Sequence, residues 1–600
     1  MSTPPPLAQG ELDQKSPVPL EKLSPSPLPA AEPPDLAGPW SVAAAVAKVR
    51  RGLLRGGPLT WISVAVAVLF LIPIFGVLLS LTQPGSETWS HLAETVLPRY
   101  LFNTAVLVIG VGLGVPIIGS GTAWLVTMCR FPGRRVFEWA LILPLAMPAY
   151  VMAYAYTDFL QPAGPVQSLL RDLTGLSFRE YWFPEVRSVG GAVAMLVLVL
   201  YPYAYLLSRT AFLDQSVCAL DVSRTLGCGA WRSFWRVALP LARPAIVAGT
   251  ALALMETLAD YGTVSFFGVP NFTTGIVRAW IAFGDRTTAA QLASILLIFV
   301  FAVLLFEAQS RGKAQFHQAT NTYQQLPGYR LGGWAALGAF TACLLPLLLG
   351  FLLPAAVLFS MALEAGDGQF GRRYFELVGN SVTLALTTAV LAVLLAALMA
   401  YGRRLHKGWL VTGSHRLASM GYALPGTIIA VGVLIPFAAF DNALDGWLRS
   451  TWGVSSGLLL TGGIAALVFA YLVRFLAVSL NTVDSGLSKI RPSMDDAART
   501  LGARPLTALL RVHAPIMWPS LLTAGLVVFV DVMKELPATL VMRPFNFDTL
   551  AVQAHNFAAD ERLSQAATPA LTIVAVGIPP VILLSRAIAR GRPGDARGAM

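Results

Sequence analysis

Beyond residue 60 the chain alternates between long apolar runs and short polar, Arg-rich loops. A helix needs about 20 residues to cross hydrocarbon. Runs of that length predict twelve spans, at 61–82, 102–128, 137–159, 187–208, 241–261, 290–307, 333–360, 379–401, 418–440, 457–479, 517–534 and 569–588. Several contain Gly or Pro, which membrane helices tolerate better than soluble ones. The fifth and eleventh also carry acids. Residues 1–40 differ: they are rich in Pro and Ser and lack apolar periodicity. Such a stretch cannot bury enough surface to offset its ordering entropy, so it predicts a disordered tail. Trp40 to Leu54 predicts a short interfacial helix leading into the first span. The first thirty residues have neither the basic start nor the apolar core of a cleavable signal peptide.

The polar loops are not all independent. DVSRTLGCGAWRSFWRVALPLARP, from Asp221 to Pro244, and DAARTLGARPLTALLRVHAPIMWP, from Asp496 to Pro519, share Asp, Arg-Thr-Leu-Gly, Arg-Val and two prolines at an offset of 275. The likeness extends outward. Asn103-Thr104 matches Asn380-Ser381 and Pro148 matches Pro425, both at 277, while Asn271-Phe272-Thr273-Thr274 matches Asn546-Phe547-Asp548-Thr549 at 275. The expected fold is therefore an all-α membrane protein of two parallel six-helix repeats, each with a basic loop between its fourth and fifth spans. The apolar spans have diverged almost beyond recognition while the aqueous loop has stayed nearly constant. A loop with no partner has little packing reason to do that, so the pair reads as two equivalent docking surfaces. Within each copy, Gly227 or Gly502 lets a short amphipathic helix end in a left-handed turn. Pro240 or Pro515 then sits where a following helix can begin.

The composition agrees with a membrane protein. Mean hydropathy is +0.64, with only 12% charged residues. The lysines and arginines gather on one side: Arg50, Arg51 and Arg55 before the first span, Arg586, Arg590 and Arg592 at the end, and both repeated loops. That side is cytoplasmic by the positive-inside rule and carries both termini. The net charge of +11 thus points to the inner face of an anionic membrane, and no aromatic–basic interleaving suggests nucleic acid. The expected divisions are a tail with a possible interfacial helix at 1–58, transmembrane domains at 59–310 and 333–590, a cytoplasmic linker at 311–332 and a tail at 591–600. Four scattered cysteines, Cys129, Cys218, Cys228 and Cys343, are expected as free thiols.

No Gly-x-x-x-x-Gly-Lys-Ser/Thr occurs, so the chain has no phosphate cradle of its own and its energy must come from another subunit. The six dispersed histidines and the absence of Cys-x-x-Cys leave no readable metal site, and no catalytic set converges in the loops. An ion-driven secondary transporter shares the twelve-span, two-repeat layout but needs no duplicated docking loops. Co-purification of an ATPase separates the two classes.

The loop pattern resembles the "EAA" loop of bacterial ABC importer permeases: Glu-Ala-Ala, three residues, Gly, about nine residues, then Ile-x-Leu-Pro. Here the second copy has Asp496-Ala497-Ala498, Gly502 and Ala514-Pro515. The first keeps Asp221, Gly227 and Leu239-Pro240 but has Val222-Ser223 for the alanines. The resemblance covers about 60–590. It implies that each short helix is a coupling helix seated in a cytoplasmic ATPase, with Asp221, Arg224, Thr225, Gly227, Pro240, Asp496, Arg499, Thr500, Gly502 and Pro515 as the coupling set. It further implies a fused permease of the inner membrane serving two ATPase subunits, which hold the ATP and Mg²⁺, and one periplasmic binding protein. A narrower resemblance joins Met255 to Val264, Phe267-Gly268-Val269 and Phe272 to Ile276, with Asp531 to Thr539 and Arg543 to Phe547, to ferric-iron importer permeases. Thiamine, polyamine and phosphonate permeases share much of the layout and stay open as alternatives.

The same segments hold the candidate translocation residues. Glu256 and Asp260 lie four apart, as do Asp531 and Glu535 at the matching positions, so each pair is expected on one helix face beside Lys534. Ionisable groups in spans usually face protein or water. Two readings remain: a locally acidic path for a cation, or a structural charge network.

Overall fold

The structure is a computed structural model describing residues 57–177, 180–214, 229–311, 329–366, 370–406 and 408–590. The expected tail, interfacial helix and most of the linker lie outside the described residues, as do Cys218 and Cys228. Cys129 and Cys343 are buried free thiols.

In the first half, α1 (Pro58–Leu79), α2 (Glu87–Thr95) and α3 (Leu97–Met128) lead to α4 (Arg134–Ala140), α5 (Ala149–Leu160), α6 (Pro165–Thr174) and α7 (Val189–Asp214). After the repeated loop come α8 (Leu239–Ala259), α9 (Gly262–Phe266), α10 (Phe272–Ile281) and α11 (Arg286–Arg311). The second half opens with α12 (Gly333–Leu347), which runs through a π-turn into α13 (Leu353–Ala365), then α14 (Arg372–Leu405), α15 (Trp409–Ser419), α16 (Gly426–Trp452) and α17 (Ala465–Ser488). It closes with α18 (Pro492–Thr500), α19 (Ala514–Met533), α20 (Pro537–Met542), α21 (Leu550–Ala559) and α22 (Leu563–Arg590). A two-residue parallel pairing of Cys129–Arg130 with Tyr329–Arg330 ties the start of the second half to the end of α3.

Among the described residues, eleven helical segments are long and apolar enough to span a membrane, and a bent pair makes a twelfth if it counts as one span. That bent pair corrects the expected third span. Instead of one helix over 137–159, residues Arg134–Ala146 and Ala149–Thr174 meet at 92°. Pro148 is the cause: its ring drives the preceding residue out of the α region, and Met147 is extended at φ −96°, ψ 120°. Pro425 has the same effect in the second half, so the ninth span is α16 from Gly426, after a separate α15, and not 418–440.

Each half is built on three mutually packed helices: α3, α7 and α8 in the first, and α14, α17 and α19 in the second. The opening helix of each half crosses to the other. α1 packs on α14, α15 and α16, while α12 touches α3 and α13 touches α5. Glycine makes the first crossing possible. A Cβ on Gly432 of α16 would stand 2.2 Å from the Pro73 carbonyl oxygen of α1, so the two backbones meet with no side chain between them. One continuous apolar core runs through both halves.

The repeat is visible in polar contacts as well. Asn103 donates to the Pro270 carbonyl at 2.7 Å, and Asn380 donates to the Asp548 carbonyl at 3.0 Å. The matched Asn271 and Asn546 behave differently. Asn271 caps α10, whereas Asn546 has φ 61° and Thr549 caps α21.

Candidate translocation cavity and coupling surface

α8 ends at Ala259, and Asp260 turns to an extended conformation at ψ 128°. Its carboxylate accepts from Thr263 Oγ1 at 2.9 Å and from the Val264 N–H at 3.1 Å, holding the start of α9. The second half repeats this with a longer side chain. α19 ends at Met533, and Glu535 accepts from the Ala538 N–H at 3.0 Å, the Thr539 N–H at 3.2 Å and Thr539 Oγ1 at 3.0 Å. Both acids occupy the role in which carboxylates satisfy the free N–H groups of a helix start. The expected shared helix faces are therefore corrected. Asp260 and Glu535 lie past the ends of their helices, and only Glu256 and Asp531 remain on them.

The breaks bring all five candidate residues together. Glu256, Asp260, Asp531, Lys534 and Glu535 line one cavity of about 100 Å³ between the halves, with Tyr150, Tyr203, Tyr261 and Tyr422. Lys534 pairs with Asp531 at 2.9 Å. A residue absent from the sequence expectation completes the set: Arg474 of α17, whose Nη2 lies 3.2 Å from Glu256 and whose Nη1 lies 3.5 Å from Glu535. It is the lone charge in the run Ala465–Ser479. An isolated charge inside an apolar span is the signal that would have found it. Tyr203 and Tyr422 meet across the halves at 3.1 Å between their hydroxyls. Among the described residues, no group of three or more His, Cys, Asp or Glu side chains is arranged to hold a metal ion.

The second repeated loop forms α18. Asp496 and Arg499 point outward, with 73% and 62% of their side chains exposed and 3.8 Å between them. Thr500 Oγ1 donates back to the Ala497 carbonyl at 2.8 Å. Gly502 takes φ +77° with open space around it, so the left-handed turn falls just after the helix. Leu501 is 87% exposed. Pro515 lies near the start of α19, in a helix that already runs from Pro505 through a π-turn at Leu509–His513. Pro240 has the matching place in α8. Asp221, Arg224, Thr225 and Gly227 lie outside the described residues.

The acid that anchors α18 is Asp495, next to the one singled out by the repeat. Its Oδ2 accepts from Arg404 Nε at 2.8 Å. His513 Nε2 lies 2.8 Å from Oδ1, and since an ionised carboxylate only accepts, the imidazole N–H is the donor. Arg404 also donates to the Leu487 and Ile490 carbonyls, at 2.7 and 2.9 Å. Three elements, α14, α18 and the turn before α19, are joined through one buried carboxylate.

A family model described as "Binding-protein-dependent transport system inner membrane component" matches residues 110–310. A molybdenum transport system permease protein of Escherichia coli (strain K12) is 31% identical over 189 residues, covering 30% of this chain and 80% of that protein. The chain belongs to the binding-protein-dependent transport permease family. Likeness also runs the length of the permease. An Fe(3+)-transport system permease protein of Haemophilus influenzae is 24% identical over 538 residues, 88% of this chain and 98% of that protein. A probable ABC transporter permease protein of Sinorhizobium fredii is 23% identical over 565 residues, 89% and 96% respectively. The protein is thus a multi-pass inner-membrane permease of a binding-protein-dependent ABC transporter.

Proposed function

We propose that this permease imports ferric iron, receiving it from an extracytoplasmic binding protein and passing it between residues 60–310 and 330–590. The observation that carries this reading is the charge of the cavity: four carboxylates, Glu256, Asp260, Asp531 and Glu535, against two bases, Arg474 and Lys534. Carboxylate oxygens suit hard cations. The length-wide likeness to an Fe(3+)-transport permease supports the same cargo. With no metal-ligating cluster among the described residues, the cavity serves transit and leaves selectivity to the binding protein.

Drive comes from two cytoplasmic ATPase subunits holding ATP and Mg²⁺, one on each repeated loop. Asp496, Arg499 and Leu501 offer an exposed charged and apolar seat to one of them. Asp221, Arg224, Thr225 and Gly227 supply the first loop's counterpart, so one chain serves both ATPases. The Lys/Arg distribution puts both termini and both loops in the cytoplasm.

The test is ⁵⁵Fe uptake by cells with and without the permease, together with Fe³⁺ binding by the partner binding protein. Loss of uptake on deletion is expected. Undiminished uptake, with a binding protein that does not bind Fe³⁺, reverses the cargo assignment and leaves the transporter class standing.

A further inference from the structure

Arg474 is the one basic side chain in the cavity with an acidic partner in each half. Its side chain is 7% exposed, and its guanidinium reaches Glu256 of the first half at 3.2 Å and Glu535 of the second at 3.5 Å. Glu535 is fixed in place by the Ala538 and Thr539 N–H groups. Glu256 makes no such local bonds; its ion pair is to the guanidinium across the cavity. Arg474 Nε has no hydrogen-bond partner among the described residues, so the guanidinium is not locked in a complete bonding shell. The other two acids of the cavity are satisfied locally, Asp260 by Thr263 and the Val264 N–H and Asp531 by Lys534 three residues along its own chain.

Passage between the halves requires the two walls to part. Arg474 and Glu535 belong to the same half and move together, so the bond that breaks is the one to Glu256. Glu256, with 23% of its side chain exposed, then loses its ion pair, and a partly buried charge left without a partner is unfavourable. Opening is then opposed when the cavity holds no cargo, and it is relieved when a cation takes the guanidinium's place beside Glu256.

We infer that Arg474 is a tethered stand-in cation. It occupies the cargo's position at Glu256 in the closed state, withdraws to Glu535 as the halves separate, and thereby makes opening depend on the presence of a cation. The inference deepens the reading of this cavity as a cation path and rests on it. The cargo class it implies is a compact multivalent cation, because the site must exchange a delocalised guanidinium for a charge that carboxylate oxygens hold at least as well.

The test uses the full-length permease in K⁺-loaded liposomes, with K⁺ release read by electrode. Wild type is expected to stay tight. Arg474→Gln and Glu256→Gln should each raise K⁺ release at least about tenfold, since either removes the cross-half bond. Their double variant should release K⁺ no faster than the leakier single. Arg474→Lys, which keeps the charge, should stay tight, an outcome that a merely space-filling role for Arg474 does not give. Monodispersity and helical circular dichroism confirm folding; if Arg474→Gln fails them, Glu256→Gln against Arg474→Lys carries the comparison. Folded Gln variants as tight as wild type overturn the inference. The cation-path reading fails separately, by undiminished ⁵⁵Fe uptake in cells carrying Asp260→Asn and Asp531→Asn, which leave the Arg474–Glu256 pair in place.

Discussion

Arg209 and Asp484 stand at the same position of the two repeats, 275 residues apart, and carry opposite charges. Each meets a partner that is also matched. Arg209 of α7 pairs with Glu138 of α4, and Asp484 of α17 pairs with His415 of α15 at 2.7 Å. Glu138 and His415 are themselves 277 apart, the offset that relates Pro148 to Pro425. The contact has been kept while its acid has changed sides, from Glu138 of α4 to Asp484 of α17.

The two versions should not be equally robust. Asp484 has a second partner in Arg403 at 3.0 Å, whereas Arg209 is buried with its Nε and Nη1 unpartnered among the described residues. Glu138→Gln is therefore expected to destabilise the protein by about 2 kcal/mol, a value discounted because Glu138 is 38% exposed. His415→Ala should cost clearly less. Thermal unfolding of both variants in detergent checks the order, and a larger loss for His415→Ala would contradict it.

Asp495 should matter more to coupling than its exposed neighbour matters to folding. Asp495→Ala leaves the buried His513 and the partly buried Arg404 without their carboxylate and is expected to cost about 3 kcal/mol. It should loosen α18 and reduce ATPase stimulation by the permease, while Asp496→Ala leaves the unfolding midpoint unchanged. The two effects are read by unfolding in detergent and by ATP hydrolysis in the reconstituted complex.

Gly502→Val places a β-branched residue at φ +77°, a conformation only glycine adopts freely. Nothing crowds that position, so the effect is on the backbone turn alone. ATPase association is expected to fall while membrane insertion is retained. Normal association and transport in this variant would remove Gly502 from the coupling set.

On the side away from α18, Arg187 and Glu561 join the halves by two parallel bonds of 2.8 and 2.9 Å. The hydrogen bond from Arg187, more than its charge, holds the Glu561 carboxyl below its ordinary 4.5. A depressed carboxylate stabilises the fold above the unfolded value and loses that contribution as pH falls through the lower folded value. Glu561→Gln should thus lower the unfolding midpoint slightly at pH 7 and not at all once the medium is acidic enough to protonate the carboxyl. The effect is small because the glutamate is 61% exposed. An equal shift at both pH values would show that the loss is steric.

The spans were legible because length and hydropathy suffice to define them, and the repeat was legible wherever it preserved identity. What escaped has a common cause. Arg474, Asp495 and the Arg209–Asp484 inversion have no identical counterpart: the repeat positions hold Val199, Leu220 and a reversed charge. A comparison that looks for sameness passes over residues that work by being different. The bent third span escaped for another reason. Pro148 marks the register of the repeat, but its steric effect on Met147 turns one apolar run into two helices. Charge alone singles out the five candidate residues that line the cavity, yet not the helix ends that gather them, because a span with an acid near its end reads as continuous.

Identical subunits around a two-fold axis present every charge an even number of times. This permease does not: Arg474 meets Glu256 once, the mirrored place of Arg474 holds Val199, and the mirrored acid, Asp531, is met by Lys534. Fusion of the halves into one polypeptide is what allows that odd count, and with it a passage whose two walls are chemically unlike. On the inference drawn above, a cation entering it would meet one side already neutralised and another whose charge becomes available only on parting. A symmetric pair of half-sized chains could not carry that asymmetry.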